Sequence, residues 1–161
     1  MLRATLSIGA SCTIGDVVCQ SLSDHEYDLR RTAAFAASGL LVLGPLSYGI
    51  LNTATVFFPG SSTFSIARRI LAIQACEPLR IGIFLPTPLL LSGVSVDHAL
   101  DKAKNDAFPT AIRSWFVFTP FLFIGFRYLR PENRIPLLAS VGACWNSYMS
   151  FVTHRSKPPQ R

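Results

Sequence analysis

Residues 32–58 contain no Asp, Glu, Lys or Arg, and this run constrains the fold more than any other feature of the chain. At about 1.5 Å of rise per residue, a helix of this length reaches ~40 Å. That is enough to cross a hydrocarbon core of about 30 Å. Gly44-Pro45 falls in the middle of the run. Proline removes a backbone donor there and predicts a kink, with neighbouring helices re-satisfying the freed groups. Arg30 and Arg31 mark one boundary, and Phe57-Phe58-Pro59-Gly60 closes the other with a turn.

The rest of the chain follows the same logic. Only 15% of the 161 residues are charged, against about 25% in soluble domains, and the mean hydropathy is +0.37. Four or five membrane helices of about 20 residues each use most of the length and leave no water-soluble domain. The expected organisation is one membrane-embedded helical domain over 1–153 and a basic, proline-containing tail over 154–161, disordered by composition. Residues 4–22 read as a small-residue helix that packs inside a bundle, either crossing or lying partly in the interface. Residues 23–31 and 61–68 read as loops. Residues 69–92 read as an apolar segment interrupted near Pro78 and Pro86. Residues 93–113 read as a short amphipathic surface helix, with Phe108-Pro109 leading into a fourth apolar segment over 110–129, and 135–153 read as a fifth. The fold class is all-α: a polytopic bundle of four to five kinked helices.

The formal charge is +6. The basic residues lie between apolar runs rather than in one patch, and no nucleic-acid-binding pattern is present. The charge reads as headgroup contact and solvated loops. If all five segments cross, both sides collect similar numbers of Lys and Arg, so the positive-inside bias sets no orientation. The four cysteines, Cys12, Cys19, Cys76 and Cys144, form no C-x-x-C pair, and no histidine stands at metal spacing. His25, His98 and His154 lie in or beside loops and read as solvated. The N-terminus lacks a secretory cleavage pattern and the Arg- and Ser-rich character of a matrix presequence, so any mitochondrial address is expected to be internal.

Residues 115–150 add detail. Trp115 and Trp145 bracket an aromatic stretch broken by a basic turn carrying Arg127, Arg130 and Arg134. Tryptophan and tyrosine at the ends of apolar runs sit at headgroup level, with arginines reaching to phosphates. The order Trp115, Phe118-Thr119-Pro120, Phe126, Arg134 and Trp145 to Tyr148 and Ser150 resembles the C-terminal signature of the Mpv17/PMP22 family. Other landmarks follow the family order. They are Gly15 and Asp16 with Gln20, then Gly44-Pro45, Pro59-Gly60, Arg69 with Gln74 and Pro78, and Phe108-Pro109. The likeness covers roughly residues 10–152. The departures concern polar positions: Leu122 stands where Gln is usual, Gly125 where Asn is usual, and Ile73 where Asp is usual. Tyr48, Ile50 and Leu51 follow Gly44-Pro45 where the family has His and Trp-Tyr. The chain resembles a divergent member. The resemblance implies a small integral protein of the mitochondrial inner membrane or the peroxisome, with channel-like behaviour.

Glu77 and Arg80 form the sharpest chemical constellation. A charge at mid-membrane costs at least ~2.5–3.5 kcal/mol on insertion scales, and opposite charges at i, i+3 offset part of it. The pair reads as the lining of a solute path, as a structural ion pair beside Pro78, or as a snorkelling pair near a helix end. Asp16 and Gln20 share one helix face, and the carboxylate needs a partner such as Arg80 or another arginine. Lining and interhelical glue are both open for them, and Asn146 reads as glue. Enzyme signatures are absent, and no cofactor or metal is expected. Asp16, Gln20, Gln74, Glu77 and Arg80 form the candidate polar seam of a channel for small solutes or ions. The alternative is a structural or accessory subunit embedded in a larger inner-membrane complex. Expected partners are the lipid bilayer and other membrane subunits or a second copy. A C-terminal S-K-L address is missing, which favours the mitochondrial inner membrane over the peroxisomal membrane.

Overall fold

A computed structural model describes residues 2–23 and 26–154. His25 and the tail residues 155–161, for which solvation and disorder are expected, lie outside the described residues. The described residues form five helices and no strand: α1 (Leu2–Ser21), α2 (Leu29–Phe57), α3 (Thr63–Leu91), α4 (Val96–Tyr128) and α5 (Pro131–His154). The first four are long and apolar enough to cross a membrane. The all-α polytopic architecture is therefore the observed one.

Local chemistry accounts for the element ends. Asp28 has extended backbone angles and accepts from the Arg30 and Arg31 amides at 2.9 and 3.2 Å, which caps α2. Ser62 accepts from the Ser65 amide and starts α3 at Thr63. Either cap satisfies a backbone donor that the first helical turn leaves orphaned. The second cap also shortens the loop expected over 61–68. Arg69 closes the far end of α2 by donating to the carbonyls of Phe58 and Gly60.

Each proline interrupts its helix in its own way. Ahead of Gly44-Pro45, residues Gly39–Leu43 form a π turn, with the Gly44 amide bonded to the Gly39 carbonyl. The wider turn accommodates a proline that has no amide to give and whose ring crowds the carbonyl four residues back. Pro86 follows a break at Leu85. Pro78 breaks nothing: Thr63–Phe84 is continuous. The carbonyl that Pro78 cannot bond belongs to Gln74, and the Trp115 indole Nε1–H donates to it at 3.0 Å.

Two expectations need correction here. The surface helix over 93–113 and the segment over 110–129 are one helix of 33 residues. A stripe of buried positions, Ala99, Lys102, Thr110 and Ser114, runs through Pro109 at helical spacing, so packing carries the helix past the Phe108-Pro109 signal. Lys102 tolerates burial by pairing with Asp106 at 3.0 Å. In consequence Trp115 stands deep in α4 against α3 rather than at a helix end. Trp145 lies against Phe118 and Tyr148 in the interior, with ring centroids 5.8 and 4.9 Å apart. Neither tryptophan caps an apolar run.

The small-residue helix α1 runs between α2 and α5. A Cβ on Gly15 would come within 2.6 Å of Asn146 Cβ and 2.7 Å of its backbone carbon, so glycine sets the α1–α5 separation. Gly39 plays the same role on α2, where a Cβ would stand 2.7 Å from Cys12 Sγ. Asn146 Nδ2 also donates to Ser11 Oγ at 2.9 Å. Two apolar clusters fill the bundle. One gathers Phe35, Phe84, Leu85 and Met149, and the other gathers Ile66, Ile70, Ile73, Leu122 and Phe126.

Candidate functional site

Between the two clusters the bundle holds a cavity of about 80 Å³. All five helices line it. Its polar wall consists of Ser11 from α1, Ser47 from α2, Glu77 and Arg80 from α3, and Asn146 from α5. Its apolar wall includes Ile50, Leu51, Ile73 and Leu122. The last four are positions at which this chain departs from the polar pattern of the family it resembles. Residues far apart in the sequence therefore converge on one chamber.

The Glu77–Arg80 pair is the charged feature of that wall. Arg80 Nε and Nη2 donate to Glu77 Oε2 at 3.2 and 2.6 Å. Arg80 Nη1 reaches across to Ser47 Oγ at 2.9 Å, so the guanidinium ties α3 to α2. Glu77 is buried and Arg80 largely so. Both Arg80 donors use one carboxylate oxygen, and the other oxygen takes no bond from Arg80.

Asp16 and Gln20 belong to a second polar cluster, away from the cavity wall. Asp16 is fully buried. Its Oδ1 accepts from Arg31 Nε at 3.0 Å and from Ser150 Oγ. Its Oδ2 accepts from Gln20 Nε2 and Thr32 Oγ1, each at 2.7 Å. Gln20 Oε1 in turn accepts from the Asp28 amide at 2.7 Å, and Arg31 Nη2 donates to Ser150 Oγ at 2.7 Å. The arginine that answers Asp16 is thus Arg31, and the cluster joins α1, α2 and α5. His154 closes the same end of α5. Its ring lies 6.3 Å from that of Phe35, and its Nδ1 lies 2.9 Å from the Ser150 carbonyl. The expectation of a solvated His154 fails because the helix continues to this residue and packs its ring on α2. His98 is exposed in the first turn of α4.

Gln74, the remaining seam residue, faces α4, where Nε2 donates to Thr119 Oγ1 at 2.8 Å. Its Oε1 is buried without a partner. The five seam residues thus occupy three places: Glu77 and Arg80 on the cavity, Asp16 and Gln20 in the Arg31 cluster, and Gln74 at the α3–α4 contact. Sequence reasoning missed Ser11, Ser47, Thr32 and Thr119 as partners. Hydroxyl residues in apolar helices carry no pattern that names their targets.

The basic turn lies at the opposite end of the bundle from the Asp16 cluster. Arg127 donates to the Ser61 carbonyl at 3.1 Å. Arg69 and Arg134 both lie over the Phe126 ring, at 5.3 and 5.0 Å. Arg134 Nε also donates to the Gly125 carbonyl at 3.3 Å. Arg130 is exposed in the turn.

Long apolar helices, proline-relieved backbone and buried ion pairs together define a polytopic helical membrane protein with a mostly apolar cavity that carries one ion pair on its wall. Comparison with known proteins narrows this. The model of the Mpv17 / PMP22 family matches residues 89–150. The chain is 28% identical over 156 residues to the human mitochondrial inner membrane protein Mpv17, covering 93% of this chain and 88% of that one. It is 28% identical over 167 residues to protein SYM1 of Saccharomyces cerevisiae, covering 94% and 84%. It is 23% identical over 155 residues to the Mpv17 protein of Danio rerio, covering 93% and 88%. No solved structure matches. The likeness to these Mpv17 and SYM1 proteins spans most of the chain, and the match to the family model falls on its C-terminal part.

Proposed function

We propose that the chain is a channel-like protein for small solutes or ions, with the central cavity as its chamber. The observation that carries this reading is the Glu77–Arg80 pair on the wall of a void lined by all five helices. A purely structural ion pair requires partners but no adjoining space. Ionisable side chains inside membrane segments mark solute paths by default. At about 30 Å³ per water, the chamber holds two or three waters or one small ion. Passage requires widening on the side of Ile50, Leu51, Ile73 and Leu122. An apolar constriction of this kind closes a pore by excluding water, so the conformation described corresponds to a closed state.

A second reading, an accessory subunit of a larger inner-membrane complex, draws on that same apolar wall. A scaffold keeps the bundle and has no use for polar residues at Ile73 or Leu122. The large exposed aromatics of α4, Phe116 and Tyr128, then face other subunits.

The test is purification in mild detergent with a record of what accompanies the chain, followed by reconstitution of the chain alone in a planar bilayer. Conductance that Glu77→Gln and Arg80→Gln alter is the expected result. A silent bilayer together with a stoichiometric large assembly supports the second reading and sinks the first.

A further inference from the structure

On the outer surface of the bundle, α2 and α3 diverge and leave an apolar groove of about 600 Å³. One wall is the α2 stripe Leu46, Gly49, Thr53 and Phe57, at steps of three or four residues. The other is Ala72 and Cys76 of α3. Gly49 borders open space: a Cβ there meets nothing within 4 Å. From Leu46 to Phe57 the α2 wall rises about 17 Å, close to the depth of one leaflet, half of the ~30 Å hydrocarbon core.

The α3 wall continues past Ala72 at the same four-residue spacing to Arg68 and Phe64. Long helical side chains lean toward the helix N-terminus, which is here the end of the bundle that holds the basic turn. The Arg68 guanidinium lies 4.5 Å over the Phe64 ring, and the four-residue spacing puts it one turn beyond Ala72, on the helix face that walls the groove. Among the described residues no carboxylate pairs with Arg68, unlike Arg31 and Arg80. The same end carries Arg69, Arg127, Arg130 and Arg134 against one acid, Glu132. The positive charge there is unmatched, whereas the end holding the Asp16 cluster carries Asp28, Asp97, Asp101 and Asp106 beside its own basic residues.

We propose that this groove binds one anionic phospholipid, with an acyl chain along the Gly49 wall and the phosphate at Arg68. An apolar slot of one-leaflet depth ending at an unpaired arginine matches a lipid in both shape and charge. A helix from another chain would need an acidic residue of its own placed at Arg68, whereas an anionic lipid carries the phosphate and the apolar chain in one molecule. The site lies outside the central chamber and does not depend on the channel reading.

Native mass spectrometry of the full chain in detergent, titrated with phosphatidylglycerol or phosphatidylcholine, tests it. The wild-type chain is expected to retain one phosphatidylglycerol in preference to phosphatidylcholine. Arg68→Gln is expected to reduce that preference about fivefold, the worth of one arginine near an anionic surface. Gly49→Leu, which fills the groove from open space, is expected to abolish retention of both lipids while the unfolding temperature holds. Arg127→Gln and Arg130→Gln serve as controls and are expected to leave the preference intact. Retention indifferent to Arg68→Gln and Gly49→Leu overturns the proposal. So does an equal loss in the Arg127 and Arg130 variants, which points to diffuse attraction. A lipid-free dimer that Gly49→Leu dissociates overturns it in favour of a second copy.

Discussion

Pro78 withholds a backbone donor from the Gln74 carbonyl, and the Trp115 indole supplies one from the neighbouring helix. An unpaired carbonyl in an apolar interior costs about 1–3 kcal/mol, so Trp115→Phe is expected to lose that much in unfolding measurements in detergent. Pro78→Ala returns an amide to Gln74, and in that background Trp115→Phe should cost at least ~1 kcal/mol less. Strict additivity of the two changes would refute the relay. Asp16 presents the opposite case, a carboxylate with four donors. Asp16→Asn leaves Arg31 without its counter-charge, and breaking buried pairs of this kind costs about 3–5 kcal/mol. Arg31 keeps 19% of its side-chain surface, so solvent moderates the loss to about 3 kcal/mol. Measured destabilisation below about 1 kcal/mol contradicts the role given to the pair. At this scale the sequence was partly legible. The i, i+3 spacing of Glu77 and Arg80 announced their pairing, and the burial of Asp16 announced that it needed a partner. That Arg31 and Ser150 would be those partners was not legible, because they arrive across a loop and from the far end of the chain.

Small residues in these helices have separable uses, and the two glycine classes differ in sign. Gly15 lies against Asn146 backbone, so Gly15→Ala must push α1 from α5, and overpacking of that kind costs about 1–3 kcal/mol. Gly49 borders open space, and Gly49→Ala is expected to stabilise α2 by about 0.5–1 kcal/mol through helix propensity alone. Thermal unfolding of both variants in one detergent checks the contrast. Equal effects in either direction undo it. The helix-level reading of the sequence succeeded where charge-free length decided, as in α2. It failed where a local signal competed with packing. Phe108-Pro109 looked like a boundary, yet Ala99, Lys102, Thr110 and Ser114 fall on one buried stripe. That stripe contains a lysine, so it does not register as apolar periodicity until Asp106 neutralises it. His154 was misread for a related reason: proximity to a polar tail outweighed the packing of its ring on Phe35.

At the scale of the molecule, the polar and apolar halves of the chamber meet at α3, where Ile73 and Glu77 are one turn apart and both face the void. Polarity on this wall is a matter of a few side chains. Leu122 is 4% exposed and belongs to the apolar cluster that closes one side. Gln is the usual family residue at that position. Leu122→Gln therefore brings an amide to the closed side without altering the bundle's frame. Burying that amide with incomplete hydrogen bonding costs about 1–3 kcal/mol, a loss that should appear in thermal unfolding. If the chamber belongs to a solute path closed by exclusion of water, the substitution wets the constriction. Conductance in a planar bilayer is then expected to rise above that of the wild-type chain, and Glu77→Gln in the same background should reverse part of the gain. If the chain is instead a scaffold, Leu122→Gln lowers stability and weakens association with its complex while the bilayer stays silent. The two readings thus predict the same change in unfolding but differ in current, a rise on the first and none on the second. A folded Leu122→Gln protein that conducts no better than the wild type is the outcome that rejects the apolar wall as a gate.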